Sequence, residues 1–145
     1  MAIRVRLGIR TRSEPSKEIR AVALVNSGFE TDTPQLVVPM KLAVQLGLHN
    51  QLAEARIESY GTSAGPVRMY VLPQVLEVWV DEPDIQSDVI VTDAVISDLE
   101  VEVLISDYLA GELEIVAEDF RRGIWRLRAD PSNKLRESYQ AQRWI

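Results

Sequence analysis

"ALVNSGFE", residues 23–30, is an apolar run that breaks into Asn26-Ser27-Gly28 and resumes at Phe29. Ala23, Leu24 and Val25 suit a buried strand, because a short unbroken apolar run before a turn signal leaves neither face of the chain to water. Asn, Ser and Gly are each turn formers. A buried strand that ends in a polar tripeptide raises the question of what the tripeptide does at that rim. The surrounding elements bear on the answer.

Period-two patterning dominates on both sides. "AIRVRLGI", residues 2–9, alternates Ile3, Val5 and Leu7 against Arg4 and Arg6, which predicts a half-buried strand. "TRSEPSK" is a turn, and residues 17–25 form the hairpin partner. Beyond the tripeptide lie a polar loop, "FETDTPQ", and a short strand, "LVVP". "MKLAVQLGL", residues 40–48, fits a short helix with Leu42, Ala43 and Leu46 on one face and Gly47 at its end. Residues 55–60 and 67–72 read as a hairpin with "GTSAGP" at its tip, and "QVLEVWV" and "DVIVTDAVI" as two further strands. "VEVLIS" is another strand, "DYLAGEL" a second short helix and "GIWRLRA" a late strand, while "RESYQAQRWI" reads as strand or helix. Many short strands with one or two short helices predict an all-β, closed barrel-like domain over residues 1–130, followed by a tail, 131–145.

Composition bounds the function. At 145 residues, 46% hydrophobic and 26% charged, the chain has the make-up of one soluble globular domain, and the expected location is cytoplasmic. With no cysteine there is no disulfide, thiolate metal site or thiol nucleophile. The opening residues lack the apolar block of a secretory signal, and no stretch is long enough to span a bilayer. A net charge of −6 argues against nucleic acid. Residues 1–20 nevertheless carry six basic side chains, whereas residues 77–119 carry fourteen acids and no Lys or Arg. The acidic run reads as a solvated sheet surface balanced by basic strands nearby, or as an acidic docking face.

Four phrases in order resemble the retropepsin-like family of aspartic peptidases, over roughly residues 3–128. "ALVNSG" stands where that family has an apolar strand followed by Asp-Ser/Thr-Gly. "VVPMKLAVQLGL" is similar to the strand and short helix that follow, and "YGTSAGPVRMYVL" to the flap hairpin. "VEVLISDYLAGELEIVAEDFRRGIWRL" is similar to the second apolar strand, its helix and the final strand. The resemblance implies a homodimer in which each subunit supplies one Asp to a shared dyad. Two close carboxylates cannot both ionise, so one stays protonated while the other activates a water. It also implies a flap at Tyr60, Gly61, Thr62 and Gly65 and an extended peptide in the cleft between subunits. Tyr60-Gly61-Thr62 is similar to the flap tip of the two-lobed pepsin relatives, where the Tyr covers the substrate, and reads equally as a strand-end aromatic packed on the sheet. No cofactor, metal, nucleic acid or membrane is implied.

Three departures qualify this expectation. Asn26 replaces the Asp, and an amide has no proton to share and no basicity near neutral pH. Ser27 and Gly28 keep the residue types that tie the two loops and permit the tight turn. Leu104-Ile105 is followed by Ser106, where the family has a Gly that lets the strand pass close to the catalytic loop; Ser106 and Asp107 read instead as a helix cap. Phe29 is bulkier than the small residue usual at its place, and a candidate to fill the cleft. The expected function is therefore an inactive homologue that retains peptide binding or dimerisation. Two alternatives stay open. One is an active endopeptidase, through deamidation of Asn26, an Asn introduced for a natural Asp, or another acid such as Asp32 or Asp107. The other is an unrelated small β interaction domain.

Other chemistry lacks components. His49 is the single histidine, so neither a Ser-His-Asp relay nor a zinc site can be assembled within one chain. The acidic run lacks calcium-loop spacing, and no Gly-rich phosphate loop occurs. Trp79, Trp125 and Trp144 read as core or interface packing, and Trp144-Ile145 as a tail that docks against a partner chain.

Overall fold

The alternation of residues 2–9 builds the first wall of a closed barrel, seen in a computed structural model that describes residues 2–145. β1 (Arg4–Thr11) buries Val5, Leu7 and Ile9 fully and leaves Arg4, Arg6 and Arg10 part-exposed on the other face. β2 (Glu18–Val25) returns antiparallel, with Leu7 opposite Ala21. β3 (Gln35–Pro39) is buried at every position and leads into α1 (Met40–Gln45). Helix α1 ends at Gly47, whose φ of 75° is the left-handed geometry that glycine adopts without strain. A 3-10 helix (Leu48–Glu54) follows.

β4 (Arg56–Thr62) and β5 (Gly65–Val80) form the next hairpin, and β6 (Ile90–Ser97) and β7 (Val103–Ile105) complete the barrel. The order is β1-β2-β7-β3-β6-β5, closed by pairing of β5 with β1. β4 pairs with β5 alone, so the upper hairpin leaves the barrel wall. β2 and β3, neighbours in the sequence, do not pair, because β7 lies between them, parallel to β2 and antiparallel to β3. That insertion brings the loop after β2 against the far end of β7. After β7 come α2 (Asp107–Glu112), β8 (Ile115–Asp119), β9 (Ile124–Leu127) and β10 (Arg136–Glu137), the last three forming a small separate sheet.

Two apolar clusters result. The larger fills the barrel with Leu7, Ile9, Leu36, Leu76, Ile96 and Ile105, and it is closed by Leu42, Leu109 and Trp125. Each such side chain contributes about 1.5–3 kcal/mol on leaving water. The smaller lies on the barrel's other face beside the hairpin: Val37, Met69, Val71, Val95 and Leu104, with Leu24, Phe29, Tyr60 and Val67 against it.

The barrel and its short helices follow the sequence expectation, with three differences. Residues 67–72 and 74–80 belong to one strand, not two. Pro73 has no N–H for the ladder, and β5 absorbs it in a register shift between Leu72 and Leu76, with Gln74 at φ 53°. Both β8 and the 3-10 helix were unanticipated, since each is short and largely solvent-facing. The tail is neither helix nor full strand. After the two residues of β10 it runs irregularly along the barrel, held where Arg4 N donates to Ser138 Oγ (2.8 Å) and Trp144 N to the Val101 carbonyl (2.7 Å).

Candidate functional site

Asn26 follows the last residue of β2, and its N–H donates to the Ile105 carbonyl at 3.1 Å, continuing the β2–β7 pairing. Phe29 N then donates to the Asn26 carbonyl at 3.0 Å, which closes the turn that Asn-Ser-Gly predicts. Asp107 N donates to the Phe29 carbonyl at 3.0 Å, and Thr31 N to Asp107 Oδ1 at 3.0 Å. The loop is thus stitched to the junction of β7 and α2. A Cβ on Gly28 would stand 3.4 Å from Asn26 Oδ1.

Ser106 does not impede this approach. It is fully buried, and its hydroxyl accepts from Leu109 N at 3.1 Å and from Gln35 N at 3.3 Å. It caps α2, as its residue type predicts, and also binds β3. The close passage expected of a glycine is achieved with a serine whose oxygen is satisfied. Period two separates its neighbours: Ile105 joins the barrel core, while Leu104 joins the outer cluster.

The β4–β5 hairpin lies over that outer cluster. Its tip is Thr62-Ser63-Ala64-Gly65, with Gly65 at φ 109°, and Ala64 N donates to Thr62 Oγ1 at 3.2 Å. Tyr60 meets Phe29 edge-on, with ring centroids 5.6 Å apart at 67°. Its hydroxyl lies 3.2 Å from both Gln35 Oε1 and Glu58 Oε2. Burial, reinforced by the Glu58 carboxylate, pushes the phenol up to about 12, so it remains a proton donor at all ordinary pH values.

These segments enclose a cleft of about 500 Å³. Val37, Met69 and Leu104 give it an apolar floor, Asn26, Gly28 and Phe29 one side, and Tyr60, Gly61, Thr62 and Ser63 the hairpin side. Glu30 and Glu100 supply its formal charge. Of the residues singled out in the sequence, Asn26, Gly28, Tyr60, Gly61, Thr62 and Leu104 therefore meet in one place. Ser27 is exposed, and Gly65, Ile105 and Ser106 support the site without lining it. Asp32 and Asp107 are exposed and line no part of it; the Asp107 carboxylate is engaged with Thr31 N.

The sequence did not point to Val37, Met69, Glu30 or Glu100. For Met69 a signal existed: Val67, Met69 and Val71 alternate with Arg68 and Tyr70, and the outer face of the barrel follows that register. Glu30 and Glu100 sit in loops, where no periodicity marks a side chain's direction.

Chemically, the cleft presents an amide donor and acceptor at Asn26, a phenol, two hydroxyls and two carboxylates around an apolar floor. Such a lining can meet polar groups of a ligand at its rim and an apolar part at its floor. Among the described residues no three His, Cys, Asp or Glu side chains converge to hold a metal ion, and no helix is long and apolar enough to cross a membrane. No protein-family model matches the chain, and no curated protein matches it.

Proposed function

We propose that this chain is a retropepsin-like domain whose acid dyad is replaced by amides, and that it acts as a homodimeric module holding an extended peptide beneath the β4–β5 hairpin. One observation carries the reading. Three segments far apart in the sequence, matched to this family by residue type alone, line a single cleft: the Asn26 turn, the Tyr60–Thr62 hairpin and Leu104. The closed barrel and the short helices after β3 and β7 fit the same reading. A peptide would enter in extended form, its main chain bonded to the hairpin and its side chains alternating between floor and solvent.

The test compares the protein with Asn26→Asp in a peptide-cleavage assay across acid pH, with a statine-type peptide as inhibitor and sedimentation reporting the oligomer. The expected result is a dimer that is inactive as it stands. Asn26→Asp then acquires inhibitor-sensitive cleavage with an acidic optimum, because only one of two adjacent carboxyls need ionise. Equal activity in both proteins would overturn the amide reading, and a monomer at all concentrations would overturn the dimer.

A further inference from the structure

We infer that the cleft selects cationic peptides, with Glu30 and Glu100 as its specificity determinants; this rests on the peptide-binding reading above and names the ligand class. Both carboxylates line the cleft, where the remaining lining residues carry no positive charge. Both residues are exposed, and among the described residues neither side-chain carboxylate has a hydrogen bond or an ion pair; Glu100 is held only through its backbone N–H, which donates to Ser97 Oγ at 3.0 Å. Elsewhere acids with a basic neighbour do pair: Glu102, two residues beyond Glu100, holds Arg4 at 2.7 Å, and Glu58 on the hairpin holds Arg56 at 3.0 Å. Lys41 lines an adjoining groove together with Glu100, and among the described residues no ion pair joins the two.

The topology sets the two charges apart. Glu30 follows Phe29, whose carbonyl is bonded to Asp107 at the C-terminal end of β7, whereas Glu100 lies in the loop entering that strand's N-terminal end. Leu104 stands between them, with Val37 and Met69 beside it. An extended peptide seated on that floor with an apolar residue would present its flanking side chains toward Glu30 and Glu100. Lys or Arg there gains two charge pairs, whereas Asp or Glu meets like charge at both ends.

The experiment is fluorescence anisotropy of the full chain with three labelled peptides that share an apolar centre and carry Lys, Gln or Glu on both sides. At low salt the Lys peptide is expected to bind about tenfold more tightly than the Gln peptide, and the gap should close at high salt as screening sets in. Glu30→Gln and Glu100→Gln should each weaken the Lys peptide about two- to fivefold, as for exposed ion pairs, and narrow its advantage over the Gln peptide. Glu100→Lys should shift the preference toward the Glu peptide, a gain that a misfolded variant would not show. Equal binding of all three peptides, or Gln variants that do not discriminate, would overturn this inference and leave peptide binding standing. Failure of every peptide to bind would overturn both.

Discussion

At the scale of single residues, Tyr60 holds the hairpin down. Its one phenolic proton has two acceptors, Gln35 Oε1 on the barrel and Glu58 Oε2 on its own strand, while its ring edge packs on Phe29. Gln35 continues the contact inward: its Nε2 donates to Thr33 Oγ1 at 3.1 Å, and Thr33 Oγ1 donates to Asp93 Oδ2 at 2.7 Å. A phenol raised in the folded state contributes stability that is present below its unfolded pKa, about 10, and lost as pH rises through about 12. Tyr60→Phe keeps the ring and removes the donor. It should cost about 1 kcal/mol and speed amide exchange in β4 and the outer half of β5, with little change in β1 or β6. Hydrogen exchange checks this, and uniform acceleration across the barrel would show that the hydroxyl does not act on the hairpin alone. At this scale Asn26 and Tyr60 were legible, because a turn tripeptide and a strand-end aromatic are local patterns. Glu30 and Glu100 were not, because a loop charge acquires its meaning only from what the fold places opposite.

At the scale of elements, β1 and β5 close the barrel through a contact the sequence conceals. Gly8 lies opposite Trp79 in their antiparallel register, and the indole covers the glycine: a Cβ there would stand 2.1 Å from Trp79 Cε2. Arg10 and Arg20 approach the same ring at 5.0 and 5.3 Å from its centroid, so Trp79 is 5% exposed although it faces outward. A strand glycine usually weakens a sheet; here its missing side chain makes room for the ring. Gly8→Ala should therefore destabilise by about 1–3 kcal/mol, despite the better strand propensity of Ala. Chemical denaturation with Trp fluorescence measures both the loss and the displaced indole; a neutral or stabilising effect would mean that the ring moves aside freely. Alternation made β1 and β2 legible to within two residues at their ends. Pro73 divided β5 in the sequence because the bulge that accommodates it depends on Asp93 Oδ1 accepting from Gln74 N at 2.8 Å, a partner nineteen positions away. β8 escaped notice because it carries polar residues on a small, half-exposed sheet, where burial imposes no clean period.

At the scale of the whole molecule, the uneven charge of the sequence resolves into pairs. Arg4, Arg10 and Arg20 from the basic start meet Glu102, Glu77 and Asp81 from the acidic run, and Arg126 meets Glu118. Balance by nearby basic strands, one of the two readings of that run, is what the fold contains. The deepest of these contacts fastens the tail. The Arg136 side chain, 7% exposed, binds Asp130 through Nε at 2.8 Å and Asp84 through Nη1 at 2.8 Å, with Glu82 at 3.6 Å and the Trp125 ring at 5.7 Å. Lys134 also reaches Asp84, and the Tyr139 hydroxyl donates to Glu82 at 2.6 Å. The guanidinium holds the Asp84 and Asp130 carboxyls below the usual carboxylate range. Depressed carboxyls stabilise the fold above their unfolded pKa, about 3.9, and lose that contribution as pH falls through their folded values. Arg136→Met should cost about 3 kcal/mol near neutral pH, since it removes the charge paired directly with the buried Asp130 carboxylate. The deficit should shrink as pH falls from about 4 through the depressed folded values of Asp84 and Asp130, where the parent protein itself loses the clamp. Urea denaturation of both proteins from acid to neutral pH checks this: curves that converge at low pH place the stability in the clamp, and curves that stay parallel would assign the loss to packing on Trp125 instead.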